Sequence, residues 1–594
     1  MATSREGTAV ALATLIAHES SRAGRDASAP RMRTIALWLG LFALALFAIR
    51  LSASPAFSDN EWRLSAYALD AVQNGRWLSQ TDTLGEVAAK PPLLTWLVAL
   101  TMLPTGQVSQ VAIYWPSAFA TIVTAWVLLH VGRSHFGWRA GLLGSVSYLA
   151  SNVAFDQMRT ARYDAILSLA VILGAEAAWR AWQTGQGWTW FWTVAALGTL
   201  VKGPLAALLP AAGLLARLWK EPSGIFPPVR GTHRAGLAIY LAMVGGWFIG
   251  ACLQGGPPVI EKMLHRELMG HAIGTPAEQW RGFRAAYEQP WFLLIGYAPW
   301  SLLTIASAYR ALTRPAEDLA ERRFERFILI WLTVDLLIFS MAAHHRARLI
   351  YPVVPAAALL AGRELGRWTV RLNARTLLRA SAALGLALLA VSIVGACLPG
   401  RRGQGETESL AARDLARALQ GLGPGEFPLT YVDGWKPLQI WRNTRRVITP
   451  VEQGAEILRG DEAAFVVVSR SHPALGQALG GHPAAVLFRW PPTGKARVQI
   501  VSNHPRLEWP DRTVIVLDGL RVQMEAAHLL RTAGDELIFL AGRTGAAVSL
   551  TNRSPASRNV RLRFTRPGSD DLVAEQRLAS GASWREGWTT GSAR

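Results

Sequence analysis

The chain has 594 residues, 51% of them hydrophobic and 17% charged, with 25 Trp and a formal net charge of +20. Soluble domains carry about 25% charged residues, so the balance argues against a soluble protein, and two Cys (Cys252 and Cys397) exclude a disulfide scaffold or a multi-Cys zinc module. The Arg are interleaved with apolar runs and Trp favours membrane–water interfaces, so the basic excess fits the inner face of a membrane and no nucleic-acid partner is expected.

Residues 1–33 carry Arg5, Arg22, Arg25, Arg31 and Arg33 without a small-residue cleavage site behind a short apolar core, so they read as a cytoplasmic tail before a retained anchor. A spanning helix needs about 20 mostly apolar residues. Candidates are 34–53, 108–131, 139–157, 164–182, 188–201, 204–219, 235–252, 290–309, 327–343, 349–362 and 377–398. The expected fold class is therefore mostly α: a polytopic membrane helix bundle of about 11 spans over 34–398, with a first outer loop at 54–107. Counting alternately, the inside loops hold Arg133 and Arg139, then Lys220, Arg230 and Arg234, then Arg310, Arg314, Arg322, Arg323 and Arg326. Arg363, Arg367, Arg371, Arg375 and Arg379 recur every fourth residue and would form one basic stripe on a helix. The chain beyond 398 then lies outside the cytoplasm. Its turn-rich start, a helical stretch and the short β-type runs "PLTYVD", "AAFVVVSR", "AAVLFRW" and "ARVQIVS" predict an extracytoplasmic α/β domain over 399–508. "RTVIVLDG", "ELIFLAG", "AAVSLTN" and "NVRLRFTR" predict a β-rich module over 509–594.

Charges between apolar runs mark where chemistry could sit. "FSDNEWRLSAYALDAVQNG" (57–75) carries Asp59, Glu61, Arg63 and Asp70. Ser58 with Glu61 reads as a capping box and Gly75 as a left-handed stop, which makes a short helix lying on the membrane. A cap alone explains Glu61 about as well as chemistry does. Held at such a helix start, Asp59 and Glu61 can serve as a general base or take a divalent cation; the sequence fixes no metal requirement. In "DQMRTARYDAILSL", Asp164 opens an apolar helix behind Arg159 and Arg162. An Asp at that place is commonly a cap, but Arg-x-Asp at the outer edge can pair a phosphate binder with a second carboxylate. Lys202 in "LVKGP" would ordinarily snorkel. "AAHHRARLIYPVVP" packs His344, His345, Arg346 and Arg348 into a short outer loop, against the positive-inside bias, and such a cluster suits a lipid phosphate or diphosphate. The outer stretch 253–289, with His265, Arg266, Glu267, His271 and Glu288, is long enough to cover a site, although a merely solvated loop is nearly as common. Asp335, mid-run in "WLTVDLLIF", is a functional suspect by default or a paired polar group inside the bundle.

The order of these pieces resembles the polytopic lipid-linked-sugar glycosyltransferases of the aminoarabinose transferase and protein O-mannosyltransferase superfamily, the GT-C architecture. That family's Asp-Glu-x-Arg, Gly-x-Trp and Lys-Pro-Pro are similar to Asn60-Glu61-Trp62-Arg63, Gly75-Arg76-Trp77 and Lys90-Pro91-Pro92, with Asn60 where the family has Asp and Asp59 beside it. Its acidic helix start resembles Asp164, its Thr-Lys-Gly the segment at Lys202, and its Arg- and Pro-rich outer motif Arg348, Pro352 and Pro355, with His345 in place of a Lys. Glu267, His271, "QPWF" and "APW" resemble a further segment, so the likeness covers about residues 35–365. It implies a hexosyl- or pentosyltransferase of the cell envelope, in the inner membrane. The donor would be a polyprenyl-phosphate sugar and the acceptor a hydroxyl of a lipid, glycan (lipopolysaccharide included) or protein, with membrane lipids as surroundings. Asp59, Glu61 and Asp164 would be catalytic. Arg162, Lys202, His345, Arg346 and Arg348 would bind the donor phosphate, supported by Arg63, Lys90, Arg159, Glu267 and His271. The rival readings are a transporter or lipid flippase working through Asp335, and a scaffold whose outer domain binds a glycan.

Overall fold

The computed structural model describes residues 31–594 except 53–58, 84, 220–228, 270–279, 281–283, 343–344 and stretches of the tail (398–411, 414–415, 417–428, 433–435, 442–448, 461–463, 469–471, 482–484, 491–497, 504–512, 518–519, 526, 534–535, 542–544, 553–555, 567–568 and 590–594). Up to Cys397 it is helical. Among the described residues six helical segments are long and apolar enough to cross a membrane: Met32–Ile49, Gln110–Phe136, Tyr163–Thr184, Arg234–Gly255, Ala347–Trp368 and Ala374–Val394. A bent pair, Glu288–Gly296 and Trp300–Thr313, makes a seventh if counted as one span. This is a multi-pass membrane protein.

Each of the eleven apolar stretches is largely helical, but two break where continuity was expected. The stretch 139–157 stops at Leu149, because Ser151 caps a separate helix, Asn152–Arg159, by accepting the Ala154 amide at 3.2 Å. The stretch 290–309 turns by 115° between Gly296 and Trp300. The expected basic stripe also fails. The helix carrying Arg363 and Arg367 ends at Trp368 and a new one starts at Ala374, so Arg371 lies in the turn between them.

Small residues set the closest helix contacts, as expected where lipid gives no hydrophobic drive for helices to associate. A Cβ on Gly141 would lie 2.5 Å from the Leu129 carbonyl oxygen, and one on Gly362 would lie 2.6 Å from Gly144 Cα. The helices Gln110–Phe136, Trp138–Leu149 and Val354–Trp368 therefore pack backbone to backbone. At one end of this seam sits a buried ion network. Arg363, 2% exposed, pairs with Glu325 and with Glu321 at 3.2 Å, and Arg310 pairs with Glu364 at 3.0 Å. Glu325 and Glu364 are fully buried. Arg367 reaches Glu321 at 3.8 Å and Glu364 at 3.9 Å.

At the other end lies the helix Asp59–Asn74, stopped by Gly75 at φ +67°. Its Asp70 is structural: the buried carboxylate accepts the Thr81 amide at 2.7 Å, the Thr81 hydroxyl at 3.0 Å and the Asn74 amide at 2.9 Å. These bonds fix the loop 75–92, which a Thr81–Val87 bridge closes. Gln254 then ties the loop to the helix Gly246–Gly255 by accepting the Leu78 and Ser79 amides at 3.1 and 2.8 Å.

In the tail, β1 (Leu429–Tyr431), β2 (Phe465–Val468), β3 (Ala485–Trp490) and β4 (Val498–Ser502) form one sheet in the order β1-β2-β4-β3, parallel only between β1 and β2. The helices Val451–Arg459 and His472–Leu479 supply Ala455, Leu458, Leu475 and Leu479 to its core. Eight further strands follow: β5 (Thr513–Leu517), β6 (Leu520–Glu525), β7 (Ala527–Ala533), β8 (Glu536–Ala541), β9 (Gly545–Asn552), β10 (Arg558–Arg566), β11 (Ser569–Leu578) and β12 (Ser583–Thr589). They form two four-stranded sheets, β11-β10-β8-β7 and β12-β9-β6-β5. Alternate residues such as Val522, Val548, Leu550, Phe539, Leu562 and Phe564 fill one shared core. The short helix Lys436–Trp441 reaches back to the membrane region: it packs on Asp59–Asn74, and Ile440 is buried in the bundle's own core.

Candidate active site

Four segments far apart in the chain meet at the Asp59–Asn74 end of the bundle. Glu61, 4% exposed, uses Oε1 to accept the backbone amide of Ala161 at 3.3 Å. The carboxylate thus reaches across to another segment, where a capping box would have turned it back on its own helix. Ser58 lies outside the described residues, as do the side chains of Asp59 and Asn60. Three residues beyond Ala161, the buried Asp164 sits in the first turn of Tyr163–Thr184, a position the helix dipole favours for an acid. Its Oδ1 takes a hydrogen bond from Lys202 Nζ. Lys202 therefore ends its helix in a salt bridge rather than snorkelling, with Gly203 at φ +98° turning the chain immediately after it.

Arg162 is held through its backbone: its amide donates to Ser117 Oγ at 3.2 Å, and that hydroxyl donates to the Arg162 carbonyl at 3.3 Å. Its guanidinium lies 3.7 Å from Asp156, which also accepts the hydroxyl of Tyr351. Tyr351 and Arg348 share the short 3₁₀ helix Ala347–Val353. Arg348, half-buried, feels the charges of Asp164, Arg346 and Arg162. Among the described residues no carboxylate pairs with Arg346 or Arg348.

The remaining predicted residues divide. His345 is buried at its side chain, with Nε2 3.1 Å from the Ser340 carbonyl and Nδ1 3.7 Å from Glu288, so it ties the turn to the helix Glu288–Gly296. His344 and His271 lie outside the described residues, as does the side chain of Glu267. Arg159 is exposed and stacks over Phe155 at 4.9 Å. Arg63 is exposed and Lys90 half-buried. Arg63 and Asp82 lie in the electrostatic neighbourhood of Tyr67, whose phenol burial pushes well above its ordinary range, so it stays neutral. Asp335 is buried with Oδ2 accepting the Trp331 indole at 2.8 Å.

Sequence reasoning missed Asp156 and Tyr351. Asp156 opens the stretch that holds Arg159, Arg162 and Asp164, and one helical turn from Asp156 to Arg159 was the available signal. For a divalent cation the fit is poor: among the described residues no three His, Cys, Asp or Glu side chains gather to hold one. Asp164 is already engaged by Lys202, and Asp156 by Tyr351 and Arg162. No step is routed through a metal.

A solved structure, ArnT from Cupriavidus metallidurans bound to undecaprenyl phosphate, superposes with a TM-score of 0.56 over 79% of this chain and 98% of that chain, at 16% identity. Its apo form gives 0.57 over the same shares. The fold is therefore the one seen in these two structures. A family model described as dolichyl-phosphate-mannose-protein mannosyltransferase matches residues 89–247. Two undecaprenyl phosphate-alpha-4-amino-4-deoxy-L-arabinose arabinosyl transferases are similar in sequence. That of Pseudomonas fluorescens is 24% identical over 379 residues, 60% of this chain and 64% of its own length. That of Pseudomonas aeruginosa is 26% identical over 397 residues, 61% and 65%. The chain thus spans a little under two thirds of these relatives' length.

Proposed function

We propose that the protein is an inner-membrane glycosyltransferase moving a sugar from a polyprenyl-phosphate donor to a hydroxyl of a lipid, glycan or protein. The observation that carries this reading is the gathering of Arg162, Lys202, Arg346 and Arg348 around two carboxylates at the end of the bundle where Glu61 is buried. A carboxylate takes the proton from the acceptor hydroxyl as its oxygen attacks the anomeric carbon. The new C–O bond forms while the bond from that carbon to the phosphate oxygen breaks, and the bonding pair leaves on the polyprenyl phosphate. Fixed cations stabilise that leaving charge without reorganising. Glu61 and Asp59 are the candidate bases. The salt bridge to Lys202 favours a positioning role for Asp164.

The finer assignments are part of the same proposal. Helices at other expected spans, such as Trp188–Lys202, Leu205–Leu218 and Leu319–Ser340, would bring the span count towards about 11. The tail 1–33 would be cytoplasmic and the domains 399–508 and 509–594 extracytoplasmic, consistent with the helix Lys436–Trp441 packing at the Glu61 end. The test is lipid analysis of cells with and without the protein. Loss should leave a polyprenyl-phosphate sugar accumulated and one glycoconjugate missing; unchanged lipid and glycan profiles overturn the reading.

A further inference from the structure

Asp156 is shared by two partners that differ in how firmly they hold it. It lies in the short helix Asn152–Arg159. Tyr351, 6% exposed and locked in the turn that carries Arg348, donates its phenol to Oδ2. Arg162 Nη1 stands 3.7 Å from the same oxygen, longer than the roughly 2.7–2.9 Å of a charge-assisted hydrogen bond. The Asp156 and Arg162 side chains are 42% and 28% exposed, whereas those of Asp164 and Lys202 are 5% and 21% exposed. One salt bridge is closed, and the other is loose and open.

We propose that Asp156 is an internal counter-anion that competes with the lipid phosphate for Arg162 and so lets the spent polyprenyl phosphate leave. The inference rests on the donor reading above and adds to it. A donor phosphodiester carries one negative charge, while the polyprenyl phosphate left after transfer is a monoester whose second ionisation falls near pH 6. Cations placed to stabilise the leaving group therefore bind the product more strongly than the donor. A carboxylate beside Arg162 offsets that excess, and the Tyr351 phenol restrains the carboxylate from closing on the guanidinium. Asp156 acts through Arg162, so it is a positioning residue.

This arrangement predicts opposite signs at neighbouring atoms. Asp156→Asn removes the competitor, so the affinity for polyprenyl phosphate should rise about three- to tenfold, the size expected of one screened unit charge. In steady state, KM for the donor and kcat should both fall as release slows. Tyr351→Phe frees the carboxylate to close on Arg162, so affinity should drop by a similar factor. Asp156→Glu, which keeps the charge, should stay near wild type. The experiment is calorimetric titration of the full-length protein in nanodiscs with a short-chain, water-soluble polyprenyl monophosphate, with the unfolding midpoint of each variant as a control. Tighter binding by Asp156→Asn together with weaker binding by Tyr351→Phe supports the proposal. Unchanged or weaker binding by a folded Asp156→Asn overturns it, whatever Tyr351→Phe does. A wild-type protein that binds no polyprenyl monophosphate overturns the donor reading and this inference together.

Discussion

The two ends of the bundle each gather arginines and acids, and they balance them differently. In the network at one end Arg310, Arg363 and Arg367 meet Glu321, Glu325 and Glu364, cation for anion, with two of the acids fully buried. At the Glu61 end Lys202 and Arg162 have carboxylates, while Arg346 and Arg348 have none among the described residues. Taking ions out of water costs several kcal/mol each and is tolerated where geometry is complete. The balanced network offsets its charges with its own residues and fastens helices together. On the donor reading proposed above, the unbalanced one takes its missing anion from outside. The same residue types would then act as a structural joint at one end and a binding site at the other.

Substitutions should separate the two. The largest effect is expected at Glu61→Gln: a lost general base costs about 100- to 10,000-fold in rate, with normal expression, measured as sugar transfer in membrane vesicles. If Glu61→Gln transfers at the wild-type rate and Asp59→Asn does not, the base is Asp59. Arg363→Met comes next and should act on stability instead. Removing one partner of a buried pair costs about 3–5 kcal/mol, seen as a lowered unfolding midpoint and reduced yield, with the surviving molecules active. Adding Glu325→Leu should recover part of the loss. Arg348→Gln should do the reverse of Arg363→Met: about 10- to 150-fold lower kcat/KM for the donor, with an unfolding midpoint no lower than wild type. A destabilised Arg348→Gln would erase the contrast between the ends.

The smallest effect is expected where the loop 75–92 meets the helix Glu261–Met269. Lys262 donates to Glu86 at 2.7 Å, and that hydrogen bond, then the ammonium's charge, holds the Glu86 carboxyl below its ordinary pKa. A carboxylate depressed on folding contributes stability above its unfolded value near 4.3, and loses it as pH falls through the lower folded value. The pair is open to water, so Lys262→Ala should cost only about 0.2–1 kcal/mol. Hydrogen exchange over 78–90 should quicken in that variant at neutral pH, and in the wild type only below about pH 4.

The long apolar runs were legible from the sequence because spanning length and composition are local properties. Where those runs break was less so: Ser151 is one cap among many serines, and the bend at 297–299 depends on what packs around it. In the last two sheets the strands read from sequence are β8, β9 and β10, which are interior, and the edge β5, whose run "TVIVL" is uncharged, whereas the edges β7, β11 and β12 were missed. Edge strands carry charge to discourage pairing, which blurs their alternation, as in "SDDLVAEQRL". β6 was lost for another reason, since its inward Leu520, Val522 and Met524 alternate well but follow β5 after only two residues. At the site, single residues such as Glu61, Asp164, Lys202 and Arg348 stood out as charges in apolar surroundings. Their partners did not, because a pair such as Asp156 with Tyr351 is joined only by the fold, across 195 residues of chain.

The helix Lys436–Trp441, seated on Asp59–Asn74 with Ile440 in the bundle core, sets an order of events during synthesis. Asp59–Asn74 leaves the ribosome early, and the residues that cover it follow more than three hundred positions later. At ordinary elongation rates the gap is roughly 20–70 s. During that interval the helix's neighbours from the bundle arrive one after another, and its cover comes last. A chain truncated before Lys436 is expected to insert and yet leave the helix bearing Glu61 uncovered.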